Sequence, residues 1–195
     1  MMNLKWISIS LAALSLSACV SVLPEPEAPD ALYSVEANAA HVGLTHNIIV
    51  REPEAARLIA GQGMVSERAD GGLRLIAGAE WAGPATRQIQ FAMIESFATG
   101  ETANAVAPEL GIFTDYELAS RLSQLQMQGD RAVCEMTVSL IASSDRSLLA
   151  RTVISADATA TSQSATARAQ ALKSVASECA EQASLFAIAT LQDAS

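Results

Sequence analysis

Alternating apolar and polar positions predict strands and one helix in the first half of the chain. A β-branched run within residues 46–51 predicts a short strand, and residues 57–68 have a weaker strand pattern. A further strand is predicted over 73–81, where every second residue is apolar, and the preceding Asp70–Gly71 pair predicts a hairpin turn. Apolar residues at helical spacing follow Pro84, so a helix is expected there.

The second half has the pattern of a three-stranded meander. Apolar residues over 116–127 change parity at Ser123–Gln124, which predicts a β-bulge inside one strand. Strict alternation over 134–140 predicts a strand that is buried on one side. The segment 148–158 is β-branched and polar, as is typical of an edge strand.

The last segment predicts a helix and, with it, the fold class. Ser162 or Ser164 can cap this helix. Its apolar stripe consists of Leu172, Val175, Cys179, Ala183 and Phe186. Strands that are buried on one side need helices on that side. We therefore expect an α+β fold, with a mostly antiparallel sheet of about five to six strands and two helices packed on one face.

The N-terminus has the pattern of a secretory signal. Lys5 precedes an apolar run that is shorter than the ~20 residues needed to span a bilayer, and small residues follow it. The ending Leu16-Ser-Ala-Cys19 resembles the bacterial lipobox, in which the cysteine is lipidated and the peptide is cut before it. The alternative is a soluble secreted protein in which Cys19 falls there by chance. Val20 in place of aspartate resembles the Gram-negative sorting signal for the outer membrane, which predicts a lipid-anchored protein on its periplasmic face.

These signals divide the chain into three parts. Residues 1–18 are expected to be a lipoprotein signal peptide, 19–31 the lipidated cysteine with a proline-rich spacer, and 32–195 a single α+β domain. The prolines and acidic residues of the spacer favour an extended chain. At about 3.1 Å per residue, such a spacer reaches roughly 35–40 Å.

Composition and motifs exclude several classes of function. The net charge of -9 and the 4% aromatic content offer neither a phosphate-neutralising patch nor a base-stacking platform, so no nucleic-acid partner is expected. The sequence has no Gly-x-Ser-x-Gly elbow and no phosphate-binding loop. Its two histidines, His41 and His46, lack the spacing of a helical zinc motif. We therefore expect no enzyme activity, no metal and no cofactor.

Four segments carry a resemblance to a known family. Tyr33-Ser-Val35 corresponds to a Tyr-x-Leu start of the domain, and residues 73–82 to a strand that ends in a Trp-Ala pair. Residues 84–99 correspond to the following helix, and Tyr116-Glu-Leu-Ala-Ser-Arg-Leu122 to the start of a meander. Behind a lipobox and a proline-rich spacer, this order resembles the ABC-type transport auxiliary lipoprotein family. Two positions depart from the pattern: Glu80 stands where a basic residue or glutamine is expected, and Val35 stands in place of leucine.

The resemblance implies a non-enzymatic role in a larger assembly. Members resemble accessory subunits of lipid-trafficking ABC systems, which contain an MCE-type lipid-binding subunit and an inner-membrane permease and ATPase. The lipoprotein would dock the periplasmic bridge at the outer membrane, and a homo-oligomeric ring could supply an annular contact. The alternative is a structural or assembly lipoprotein of another envelope machine, for lipopolysaccharide transport or envelope integrity.

Four further residues are candidate structural or contact sites. Cys134 and Cys179 both lie on inward faces of their predicted elements, and an oxidising compartment favours a disulfide between them. Two buried free thiols are the alternative. Trp81 and Tyr116 are expected to be core residues, with exposed partner contacts as the alternative because aromatic residues concentrate at binding hot spots.

Overall fold

The computed structural model describes residues 29–38, 44, 46–97 and 104–193. The predicted signal peptide, Cys19 and most of the spacer therefore lie outside the described residues. The described part combines helices and strands, as an α+β domain requires. In chain order, its elements are β1 (Ala31–Tyr33), β2 (Ile48–Val50), β3 (Glu54–Ala55), α1 (Arg57–Ala60), β4 (Gly63–Glu67), β5 (Leu73–Trp81), α2 (Ala85–Ser96), β6 (Ala105–Val106), a 3-10 turn (Pro108–Leu110), β7 (Tyr116–Gln128), β8 (Arg131–Ala142), β9 (Leu148–Thr159) and α3 (Ala165–Asp193).

The strands form one mixed sheet around β7. Along one side of β7 lie β2, β3 and β4 in succession, all parallel to it. Along its other side runs β8 in antiparallel orientation, and β9 follows antiparallel to β8. Beyond β4 the sheet continues with an antiparallel β5 and then β1, which is parallel to β5, while β6 extends it parallel to β2.

The prediction of a mostly antiparallel sheet is wrong. Strands that are close in sequence, β4–β5 and β7–β8–β9, pair antiparallel as predicted. Strands β2, β3 and β4, which are far from β7 in sequence, pair with it in parallel orientation. Parallel pairing is possible because the intervening elements return the chain to the end of the sheet at which the earlier strands began. The expectation for residues 57–68 is also only half right. Arg57–Ala60 form a helical turn, and Gly63–Glu67 form the strand.

Several local predictions are confirmed. The turn between β4 and β5 contains Gly71 with a φ of +80°, a left-handed conformation that favours glycine. The register of β7 against β8 shifts between Leu122 and Gln124, where the bulge was predicted. Ser164 caps α3, because its Oγ accepts a hydrogen bond from the backbone N–H of Ala167 at 3.2 Å.

The core lies between the sheet and the two longer helices. A single cluster of buried residues extends from Val35 to Leu191. Alanine and serine make up most of the buried face of α3, which lets its backbone pack closely against β8, β9 and α2. The Ser184 hydroxyl donates a hydrogen bond to the backbone oxygen of Met93 at 3.1 Å and so ties α3 to α2. No helix in the described ranges is long and apolar enough to cross a bilayer.

Candidate partner-binding surface

The meander β7–β9 presents one side to α3 and the other side away from it. Because side chains alternate along a strand, the residues between the buried ones of β8 point away from the core. We call this side the open face. It carries Glu117, Arg121, Thr137, Ser139, Arg151 and Val153.

A charged cluster lies at one end of the open face. The carboxylate of Glu117 is 6% exposed and contacts two guanidinium groups. Arg51 Nε lies 2.6 Å from one carboxylate oxygen, and Arg146 Nη1 lies 2.7 Å from the other. Arg51 follows β2, and Arg146 lies in the turn between β8 and β9. Glu117 therefore ties two loops to the central strand.

The two arginines determine the charge state of Glu117. Burial raises the pKa of this carboxyl group, but the hydrogen bonds from Arg51 and then Arg146 lower it more, so its pKa lies below its ordinary value. The hydrogen bond to Glu117 also raises the pKa of Arg51 and that of Arg146. The cluster is therefore ionised throughout the neutral pH range.

We predict that Glu117→Gln lowers the free energy of unfolding by about 1–2 kcal/mol at pH 7, since the two half-exposed arginines lose a charged acceptor. Because the folded-state pKa of Glu117 lies below its unfolded value of about 4.3, the stabilisation is complete above that pH. It is lost as the pH falls through the folded-state pKa. Urea unfolding of wild type and variant from pH 7 to pH 3 should therefore give converging curves. Glu54→Gln, at an exposed residue nearby, is the control. A constant difference at all pH values would contradict this account.

A groove of about 470 Å³ adjoins the charged cluster. Charged residues of both signs contribute to its lining: Arg51, Glu52, Glu54, Glu109, Arg121 and Arg151. Arg121 and Arg151 are exposed, and neither makes an ion pair with another described residue. A lining of this kind fits the polar groups of a protein segment better than an acyl chain, which gains nothing from charged walls.

A set of exposed apolar side chains lies at the same end of the sheet. We call it the apolar pole, and it consists of Leu110, Ile112, Phe113, Leu148 and Leu149. The segment before β7 and the start of β9 meet at this end, because the backbone N–H of Ser143, in the turn before β9, donates to the backbone oxygen of Asp115 at 2.9 Å. Phe113 is 101% exposed, and the other four side chains are between 41% and 66% exposed. Clusters of exposed apolar residues commonly mark interaction sites.

The two aromatic candidates have different locations. Trp81 is 1% exposed and lies in the core at the end of β5, so it offers no surface to a partner in this conformation. Tyr116 is half-buried at the start of β7 and packs against the core. The His46 ring meets the Tyr116 ring edge-on, with 5.3 Å between centroids. His41 lies outside the described residues.

The two cysteines are joined as a disulfide between β8 and α3. Cys134 and Cys179 are both buried, and their Cα atoms lie 6.6 Å apart, within the range that a disulfide allows. The bond links residues 45 positions apart in sequence. It therefore connects the final helix to the centre of the meander.

For the mature protein, whose Cys19 we expect to be lipidated, we predict that the denatured, unreduced chain has no thiol that reacts with Ellman's reagent, and that reduction releases the two thiols of Cys134 and Cys179. Closing a long loop restricts the unfolded chain, so reduction should lower the free energy of unfolding by roughly 2–4 kcal/mol. The Cys134→Ala/Cys179→Ala variant should match the reduced protein in urea unfolding. Two reactive thiols before reduction would contradict the disulfide.

The sequence patterns did not identify the Glu117 cluster or the apolar pole. A signal was present for each. Glu117 is an acidic residue in a strand between Tyr116 and Leu118, and isolated acidic residues in strands that become buried need a charged partner. The pole includes two adjacent apolar residues, Ile112 and Phe113, outside any periodic element. Neither signal indicates which residues will be neighbours.

The family model described as "ABC-type transport auxiliary lipoprotein component" matches residues 22–184. No curated protein matches the chain. A crystal structure of a Xanthomonas campestris protein from the family DUF330 superposes with a TM-score of 0.73 at 21% identity, covering 84% of this chain and 98% of that one. A crystal structure of another, uncharacterized protein gives a TM-score of 0.61 at 12% identity, covering 84% and 97%. At these identities the two structures share the fold.

Proposed function

The chain belongs to the family of ABC-type transport auxiliary lipoprotein components, and we propose that it is a non-enzymatic lipoprotein of the outer membrane that docks the periplasmic bridge of a lipid-transporting ABC system. The partner that we propose is an MCE-type lipid-binding subunit, which is itself connected to an ABC permease and ATPase at the inner membrane. The transported lipid would be phospholipid-like. In this proposal the protein acts by binding and positioning its partner.

The proposed membrane attachment is the acylated cysteine at the lipobox. One acyl chain gives marginal membrane binding, whereas two or more anchor a protein stably. We predict that Cys19→Ser abolishes acyl labelling and releases the protein from the membrane fraction. Metabolic labelling with an alkyne fatty acid and membrane fractionation measure both effects, and Ser147→Ala, at an exposed residue far from the lipobox, serves as the control. Labelling of Cys19→Ser at the wild-type level would contradict the anchor.

The observation that carries the docking proposal is the placement of the apolar pole relative to the tether. Strand β1 runs parallel to β5 with Ala31 opposite Ala79, so Pro29 and Asp30, which precede it, lie towards the Leu73 end of β5. Leu73 pairs with Glu67 of β4, and Glu67 pairs with Gln128, the last residue of β7. The Leu73 end of β5 and the final residue of β7 are therefore at the same end of the sheet. The apolar pole lies beyond the first residue of β7. The 13 residues of β7 separate the two ends by about 40 Å.

This arrangement favours a protein partner on the side away from the lipid anchor. Phe113 is fully exposed and lies next to a groove in which Arg121 and Arg151 have no ion-pair partner among the described residues. It combines an apolar anchor with charges at its border, as in many binding hot spots. A bridge that spans the periplasm would approach the anchored domain from this side. The charged residues that line the groove favour docking of a protein segment over storage of a lipid there.

Site-specific photo-crosslinking in intact cells tests the proposal. p-Benzoylphenylalanine is placed at Phe113, and Phe91, an exposed phenylalanine of α2, is the matched control position. We expect mass spectrometry to identify an MCE-type subunit in the adduct from position 113 and not from position 91. Adducts from position 113 that contain only lipopolysaccharide-transport or envelope-assembly proteins would contradict the proposal.

A further inference from the structure

A second pocket, of about 370 Å³, lies at the opposite end of the sheet from the apolar pole. It lies where the turns after β4 and β7 meet the start of α3. Three of the chain's ten arginines line it: Arg68, Arg74 and Arg168. Its remaining lining residues are Ser66, Glu67, Ala69, Gly129 and Gln163.

Arg168 is held in this pocket at an energetic cost. Its side chain is half-buried, and Nη2 donates to the Ser66 hydroxyl. Its Nε is buried without a hydrogen-bond partner among the described residues. Burial, and next the positive charge of Arg74, lower the pKa of Arg168. A buried hydrogen-bond donor without an acceptor is unfavourable, and so are two positive charges close together. An anion bound between Arg74 and Arg168 would relieve the repulsion between these two charges.

The three arginines outnumber the two acidic residues around the pocket. Among the described residues, Arg74 makes neither a hydrogen bond nor an ion pair. Of the two acidic residues nearby, Asp70 lies 3.5 Å from Arg68, and Glu67 accepts a hydrogen bond from Gln126 at 3.0 Å. The first turn of α3 contains no acidic residue, so the positive end of its helix dipole adds to the field of the arginines.

We propose that this pocket binds the phosphate group of a membrane phospholipid, with Arg74 and Arg168 as its ligands. The planar guanidinium groups match the geometry of phosphate oxygens. The lipid acyl chains would remain in the bilayer, because the pocket is lined by polar residues. The phosphate contact would hold this end of the domain against the membrane surface.

The position of the tether favours a lipid over a free phosphate ion. Asp30 packs against Gly78, which lies on the Arg74 side of the Ala31–Ala79 pair in β5. Only ten residues separate Asp30 from Cys19, so the anchor lies within about 40 Å even if the chain is fully extended. The first described residues, Pro29 and Asp30, therefore lie on the side of β1 that faces the pocket end of the sheet. This step uses the lipid anchor of the proposed function and does not depend on the identity of its protein partner.

Arginine-detected NMR tests the proposal on the purified, lipidated protein in a neutral detergent. The Nε–H resonances of Arg74 and Arg168 are followed while soluble dihexanoyl phosphatidylglycerol is added, and in parallel while inorganic phosphate is added. We expect the lipid to shift both resonances at concentrations at which phosphate does not. Arg74→Gln should weaken the lipid affinity about tenfold, since it removes one charge-assisted contact. Arg57→Gln, at an exposed arginine of α1, should leave it unchanged.

Each outcome decides the assignment. Lipid-dependent shifts that Arg74→Gln weakens and Arg57→Gln does not weaken support it, and Arg168→Lys should then bind less tightly than wild type because lysine lacks the planar fork. A response to inorganic phosphate equal to or stronger than the response to lipid identifies a free-anion site and overturns the lipid assignment. Unshifted Arg74 and Arg168 resonances overturn the pocket itself. None of these results depends on the partner found by crosslinking at Phe113.

Discussion

Replacing Trp81 with alanine should lower the free energy of unfolding by roughly 3–5 kcal/mol, because it removes a large buried side chain and leaves a cavity in the core. Trp81 is 1% exposed and belongs to the continuous core between the sheet and the helices. Domains of this size have a free energy of unfolding of about 5–15 kcal/mol, so the substitution should remove a large part of it. Urea unfolding monitored by far-UV circular dichroism measures it.

A conservative substitution separates the core function of Trp81 from a contact with a partner. Trp81→Phe retains most of the apolar volume and should cost less than Trp81→Ala. If residues 1–18 are removed, Trp81 is the only tryptophan left, and its fluorescence should be that of an apolar environment. Wild-type stability of Trp81→Ala, combined with loss of crosslinking to the partner, would instead support the contact interpretation.

Replacing Phe113 with aspartate should weaken binding to the proposed partner by at least about 30-fold. A well-packed aromatic hot spot contributes 2 kcal/mol or more to binding, and a carboxylate in its place would also need to be desolvated. The stability of the domain should change by less than about 0.5 kcal/mol, because Phe113 is 101% exposed. Co-purification of the MCE-type subunit with the full-length lipoprotein measures the first effect, and urea unfolding measures the second.

A second exposed phenylalanine provides the control for Phe113→Asp. Phe91 lies on α2, with the guanidinium of Arg87 4.7 Å from its ring centre. Phe91→Asp introduces the same charge on a different surface, so it should leave co-purification at the wild-type level. Equal losses for the two variants would indicate a general effect of negative charge. Undiminished co-purification with Phe113→Asp would exclude the apolar pole as the docking surface.

Periodic patterns predicted the local elements well where burial is one-sided. The alternation in β5 and β8, the bulge in β7 and the cap at Ser164 are all visible in the sequence, since each depends on residues within a few positions of each other. The direction of pairing between β7 and β2, β3 or β4 has no such local signal. The antiparallel prediction failed there for that reason.

The candidate surfaces were predicted less well than the elements. The inward parity of Cys134 and Cys179 suggested that they could meet, and the core location of Trp81 was the favoured interpretation. By contrast, Glu117 contacts Arg51, which is 66 positions earlier in the sequence, and Arg146, which is 29 positions later. Ser66 and Arg168 are 102 positions apart. No periodicity connects positions at such separations.

The sequence by itself determined the family, the expected lipid anchor and the order of most helices and strands, because these depend on contiguous motifs and on periods of two and 3.6 residues. Only the tertiary structure decided the mixed sheet, the charged cluster around Glu117 and the separation of the apolar pole from the arginine pocket. These features depend on which distant segments meet. Which segments meet is determined by burial and strand pairing between residues far apart in sequence, and the residues next to them in sequence give no signal of these contacts.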